Sequence, residues 1–89
     1  MQLTVDISLY PLNSDYIPII KEFITELNRQ SDLTIVTNAL STQIMGPYDV
    51  LMETLHREMK RSHEKHGKAV FVCKFLYGAV AIDRTPDLD

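Results

Sequence analysis

Thr37, Asn38, Ser41, Thr42 and Gln43 gather hydroxyls and amides into one short, uncharged stretch. Such groups both donate and accept hydrogen bonds, so they suit a small, flat, heteroatom-rich ligand. Ser8 comes from an earlier strand and would lie beside them if the two strands pair. Tyr10 and Tyr48 offer faces for stacking on an aromatic ring. A cationic ring would also gain from a tyrosine face and from the charge of Asp49 or Asp6. The same residue types build ordinary structure: threonine and serine fit strands, and asparagine makes turns. Residue chemistry alone leaves both readings open.

Other chemistries find less support. His56, His63 and His66 fall on one helical stretch without a CxxC or HExxH pattern, and read as solvated residues near a helix end rather than as metal ligands. Cys73 is the single cysteine, lies in an apolar run, and reads as a small buried hydrophobe. Ser8, Ser41, Asp6 and Asp49 have no histidine near them in sequence, so no nucleophile finds a base and an enzyme is not expected. Gly46-Pro47 offers no run of free amides for phosphate. No cofactor is implied.

The elements that position these residues follow from periodicity. Leu3, Val5, Ile7 and Leu9 alternate with Thr4, Asp6, Ser8 and Tyr10, which predicts a strand closed by Pro11. Asp15 is the expected N-cap of a helix carrying Ile17, Ile20, Phe23, Ile24 and Leu27 on its buried stripe and ending near Gln30. Leu33 to Asn38 reads as a second strand, Asn38-Ala39 as a hairpin turn, and Leu40 to Met45 as a third strand. Leu40, Thr42 and Ile44 would share one face of it, with Ser41, Gln43 and Met45 on the other.

Gly46-Pro47 should end strand pairing, with Pro47 at N1 of a second helix. That helix buries Leu51, Met52, Leu55 and Met59, and leaves Glu58, Lys60, Arg61, Glu64 and Lys65 as a solvated face. Gly67 should close it. Ala69 to Tyr77 is a last strand with Val70, Val72 and Leu76 on one face and Phe71, Cys73, Phe75 and Tyr77 on the other. Both faces are largely apolar, so helices should cover one and a partner subunit the other. Ala79 to Ile82 could extend this strand or pack on a neighbour. The expected domain is residues 1–78, with 79–89 as a partly mobile C-terminal extension.

The order β-α-β-β-α-β predicts an α+β fold: a four-stranded antiparallel sheet with two helices on one face, the split βαβ or ferredoxin-like arrangement. Eighty-nine residues make one domain with a modest core, for which self-association is a common source of extra burial. The net charge of −3 includes −2 from Asp83, Arg84, Asp87 and Asp89. The body is therefore nearly neutral, without the basic footprint of a nucleic-acid or membrane-surface binder. An RNA-binding domain shares this strand order, but it needs aromatics on its central strands, and the third strand has none. The N-terminus shows no signal-like or membrane-spanning run, so a cytoplasmic protein is expected.

A set of motifs spread along the chain resembles the YkoF-related thiamine-binding family: Asp6-Ile7-Ser8-Leu9-Tyr10-Pro11-Leu12, Asp15-Tyr16, Thr37-Asn38 with Leu40-Ser41-Thr42-Gln43-Ile44, Gly46, Tyr48-Asp49, Gly67-Lys68 and Val70-Phe71-Val72. The resemblance implies a ferredoxin-like domain that associates through its sheet into homodimers or homotetramers. It implies binding of thiamine or its hydroxymethylpyrimidine moiety without catalysis, by a carrier or sensor. On chemistry, Thr37, Asn38, Ser41, Thr42 and Gln43 would then meet the pyrimidine edge with Ser8 beside them. Tyr10 and Tyr48 would stack, and Asp49 would balance the thiazolium charge. The rival expectation is an oligomeric interaction module with no small-molecule ligand, whose polar stretch builds the subunit interface.

Overall fold

The computed structural model describes residues 1–88. Six elements follow in the expected order: β1 (Gln2–Pro11), α1 (Tyr16–Leu27), β2 (Thr34–Thr37), β3 (Thr42–Pro47), α2 (Tyr48–His66) and β4 (Ala69–Tyr77). The strands form one antiparallel sheet in the order β2-β3-β1-β4. This is the split βαβ arrangement, with β1 and β3 central.

Period two decides which side of the sheet the helices cover. Leu3, Val5 and Ile7 of β1 and Ile44 of β3 turn to the helical side and are buried. Phe23 and Leu27 of α1 and Leu51 and Leu55 of α2 close over them. Full burial of one such side chain stabilises the fold by about 1.5–3 kcal/mol. The opposite face of the sheet carries Asp6, Ser8 and Tyr10 of β1 and Gln43 and Met45 of β3. Val70, Val72 and Leu76 of β4 share it, about half exposed.

Several expected boundaries move. The centre of the α1 stripe is Ile19, Phe23 and Leu27; Ile17 is exposed, and Ile20 and Ile24 are only half-buried. The helix stops at Leu27 with Asn28 as its C-cap, short of Gln30. Asp15 is the N-cap but makes no side-chain capping bond; Asn13 Oδ1 instead accepts its N–H at 2.8 Å. Leu33 and Leu40 fall outside β2 and β3, and Leu40 lies 88% exposed in the connecting turn. β4 ends at Tyr77, without extension through Ala79 to Ile82.

Gly46 and Pro47 do not break pairing: they stand opposite Leu3 and Gln2 in the ladder. Pro47 is extended and serves as N-cap of α2, so Tyr48 takes N1 and its N–H donates to Met1 O at 2.9 Å. A Cβ on Gly46 would stand 2.6 Å from Leu33 Cδ2 and 3.0 Å from the Asp32 carbonyl oxygen. Gly46→Ala is therefore expected to destabilise the fold by about 1–3 kcal/mol through overpacking. Urea denaturation reads this directly, and an unchanged midpoint would contradict the close approach. Gly67 ends α2 at φ +87°, a backbone region that favours glycine.

The supposed solvated face of α2 is partly an interhelical seam. Glu58 is buried, between Arg57 Nε at 3.1 Å and Arg61 Nε at 3.5 Å. Arg61 Nη1 also reaches Glu26 of α1 at 2.9 Å. Lys65 and His66 both contact the Glu22 carboxylate. A buried carboxylate needs such partners, because an unpaired charge in a low-dielectric site is strongly unfavourable.

Candidate functional site

A cavity of about 400 Å³ opens where β1 runs past β3. β1 pairs with β3 only from Gln2 to Ile7, while it pairs with β4 as far as Pro11. The end of β1, the β2–β3 turn and α1 from Tyr16 to Ile24 enclose the space left beside it. Ser8, Tyr10, Thr37, Asn38, Ser41 and Thr42 supply its polar wall. Leu9, Ile20, Phe23 and Ile24 supply an apolar floor, and Tyr16 adds a second phenol. No charged side chain lines it among the described residues.

The turn is held by Asn38. Its N–H donates to Ser41 O at 3.0 Å, and its Oδ1 accepts the N–H groups of Leu40 at 3.0 Å and Ser41 at 3.2 Å. This occupies the side-chain carbonyl and leaves Asn38 Nδ2 without a partner among the described residues. The Thr37 and Thr42 hydroxyls share one hydrogen bond of 3.0 Å across the strand pair. Ser8 Oγ donates a long bond of 3.4 Å to Leu40 O. The wall thus keeps both donor and acceptor capacity for a ligand.

Six of the nine residues singled out from sequence meet at this cavity. Gln43 does not line it: it points to the open face of the sheet, where its Nε2 donates to Ser41 Oγ at 2.7 Å and to Asp6 Oδ1 at 3.2 Å. Ser41 Oγ donates to the same carboxylate oxygen at 2.6 Å. Tyr48 and Asp49 are not brought to the cavity either. They begin α2 at the far end of β3, a six-residue strand that spans about 20 Å. Tyr48 packs there on Tyr77, with ring centroids 5.7 Å apart. Hydrogen bonding and charge from Tyr77 hold the Tyr48 phenol above its usual pKa.

Sequence reasoning missed the α1 side of the cavity. Ile20 and Ile24 read as part of the buried stripe and Tyr16 is not on it, yet that stripe is wider than one contact with the sheet requires. The three histidines do not converge. His56 and His63 are exposed, and His66 contacts Glu22 of α1. No cluster of three or more His, Cys, Asp or Glu side chains among the described residues could hold a metal. Burial, and then the charge of Asp6, hold the Cys73 thiol above its usual pKa, which disfavours the nucleophilic thiolate.

Asp6 is the perturbed acid of this region. The Ser41 hydrogen bond is the main cause of its lowered pKa; partial burial opposes the shift, while Gln43 and Lys74 reinforce it. A depressed native pKa contributes stability above the unfolded value, and that contribution is lost as the pH falls through the native value. Stability should therefore decline as the pH drops below the ordinary carboxyl value of 3.8. Asp6→Asn should flatten part of this acid limb in denaturant titrations. An equally steep limb in the variant would show that Asp6 contributes nothing to it.

Comparison with solved structures gives close matches to the fold. A Streptococcus pneumoniae protein matches with a TM-score of 0.82 at 23% identity, over 93% of this chain and 94% of that one. A Thermotoga maritima protein proposed to act in thiamine biosynthesis or salvage matches with a TM-score of 0.81 at 15% identity, over 93% and 92%. A Methanocaldococcus jannascii protein matches with a TM-score of 0.75 at 18% identity, over 98% and 88%. At these identities the likeness concerns the fold. No curated protein matches the sequence. The sequence profile of the YKOF-related family matches residues 2–77, from the first strand to the last. That match spans every element enclosing the cavity, and the chain belongs to the YKOF-related family.

Proposed function

We propose that this chain binds thiamine or its hydroxymethylpyrimidine moiety without transforming it, as a cytoplasmic homo-oligomeric carrier or sensor. The observation that carries the reading is the cavity at the end of β1: an apolar floor, a wall of neutral donors and acceptors, and a volume of about 400 Å³. Apolar pockets with a few placed polar groups are the usual form of small-molecule sites. Tyr10 and Tyr16 stand at its edge as stacking faces. Family membership and the thiamine assignment of the Thermotoga maritima neighbour support the same ligand class.

Self-association draws its support from the uncovered face of the sheet. Val70, Val72 and Leu76 are 47%, 49% and 50% exposed along one strand. Apolar residues in such a row are better covered by a second copy than by water. A module with no small ligand remains the rival reading, and the apolar row alone would satisfy it.

Calorimetric titration with thiamine and with hydroxymethylpyrimidine separates the two. Saturable heat is expected with at least one of them. Folded protein that shows no heat at millimolar ligand would leave only the interaction module.

A further inference from the structure

β1 has a partner on one side only from Ser8 to Pro11, because β3 starts opposite Ile7. In an antiparallel ladder a residue turns both its N–H and its C=O to the same neighbour, and successive residues alternate between neighbours. Two bonds fix the alternation here. Leu12 N–H donates to Lys68 O at 3.0 Å, on the β4 side. Met1 O accepts from Tyr48 N–H at 2.9 Å, on the β3 side. Even-numbered residues of β1 therefore address β4, and odd-numbered residues address β3.

Leu9 is odd-numbered, so its N–H and C=O face the side that β3 leaves open, and Leu9 lines the cavity. No described residue bonds either group. The opposing carbonyl, that of Leu40, receives the Ser8 hydroxyl instead. Pro11 has the same orientation, where its missing N–H removes no ladder bond. Leu9 thus presents a main-chain donor and acceptor side by side, whereas Pro11, facing the same open side, offers only a carbonyl. Partly buried main-chain groups of this kind gain from any partner that satisfies both.

We propose that the unpaired N–H and C=O of Leu9 are the two-point contact that selects the ligand, a planar heterocycle carrying a ring acceptor next to an amino donor. The ring nitrogen accepts from Leu9 N–H while the amino group donates to Leu9 C=O. This rests on the reading of the cavity as a pyrimidine site, and it adds a recognition element that no side-chain motif reveals.

Amide hydrogen exchange followed by NMR on the full chain tests it in two stages. Without ligand, the Leu9 amide should exchange quickly between slowly exchanging Ser8 and Tyr10. A protected Leu9 amide overturns the proposal. With hydroxymethylpyrimidine the Leu9 amide should slow. The analogue with methyl in place of the amino group should bind about tenfold more weakly. Binding that leaves Leu9 exchange unchanged, or equal affinity for the analogue, overturns the contact while keeping the site. Failure of both thiamine and hydroxymethylpyrimidine to bind overturns the functional reading and the contact with it.

Discussion

Ile44→Ala should lower the unfolding free energy by about 3–4 kcal/mol, a large fraction of the about 5–15 kcal/mol typical of a folded domain. Ile44 is fully buried and lies in the central strand β3, between Ile35 of β2 and Val5 of β1. Its removal takes apolar area out of the core and leaves a cavity that flanking strands, held by their ladders, can close only in part. Leu40→Ala is the matched control. Leu40 is 88% exposed four residues earlier, so its truncation should change stability by less than about 0.5 kcal/mol. Urea denaturation of both variants is the measurement. Equal losses at the two positions would contradict the placement of the turn and of the core.

The second large effect concerns binding. Ile20→Trp should abolish measurable binding of thiamine and hydroxymethylpyrimidine, a loss of at least about a hundredfold, by filling the cavity with an indole. Ile20 lines the cavity from α1, is half-buried and stands outside the buried cluster of the core. The fold should tolerate the change within about 1 kcal/mol, because the added atoms enter open space and not packed core. The chain contains no tryptophan, so the new residue also reports on itself. Blue-shifted emission would show the indole in an apolar site. Retained binding with a buried indole would mean that the ligand sits elsewhere.

How much of this was legible in the sequence depends on what each element faces. The alternation in β1 correctly placed Leu3, Val5 and Ile7 in the core, because that face meets the helices; on the other face Thr4 is buried too, where its hydroxyl donates to Gly78 O. Helix α1 misled by one position. Periodicity reports apolar residues but cannot tell a face pressed on the sheet from a face turned to a cavity, so Ile20 and Ile24 were read with the stripe and Ile19 was not. Glu58 misled for a related reason: its charge suggests solvent, and only the approach of α1 with its own carboxylates and the two arginines makes it a buried partner.

Of the candidate ligand residues, those from the turn and from the end of β1 converge because β1 is longer than its neighbour. Tyr48 and Asp49 stay close to them in sequence but are carried away by the length of β3. The main-chain groups of Leu9 could not be read from residue types at all, since they belong to strand pairing and not to any side chain.

The turn from Asn38 to Ser41 has a consequence for how this fold can vary. It forms one wall of the cavity, yet it contributes no pair to the ladder, whose last β2–β3 rung is Thr37 opposite Thr42. A residue inserted there would deepen or close the cavity while every rung kept its partner. Chain-length change in this turn is thus a dial for ligand size that operates independently of the scaffold, and grafting longer turns would be the direct route to new ligands on the same sheet.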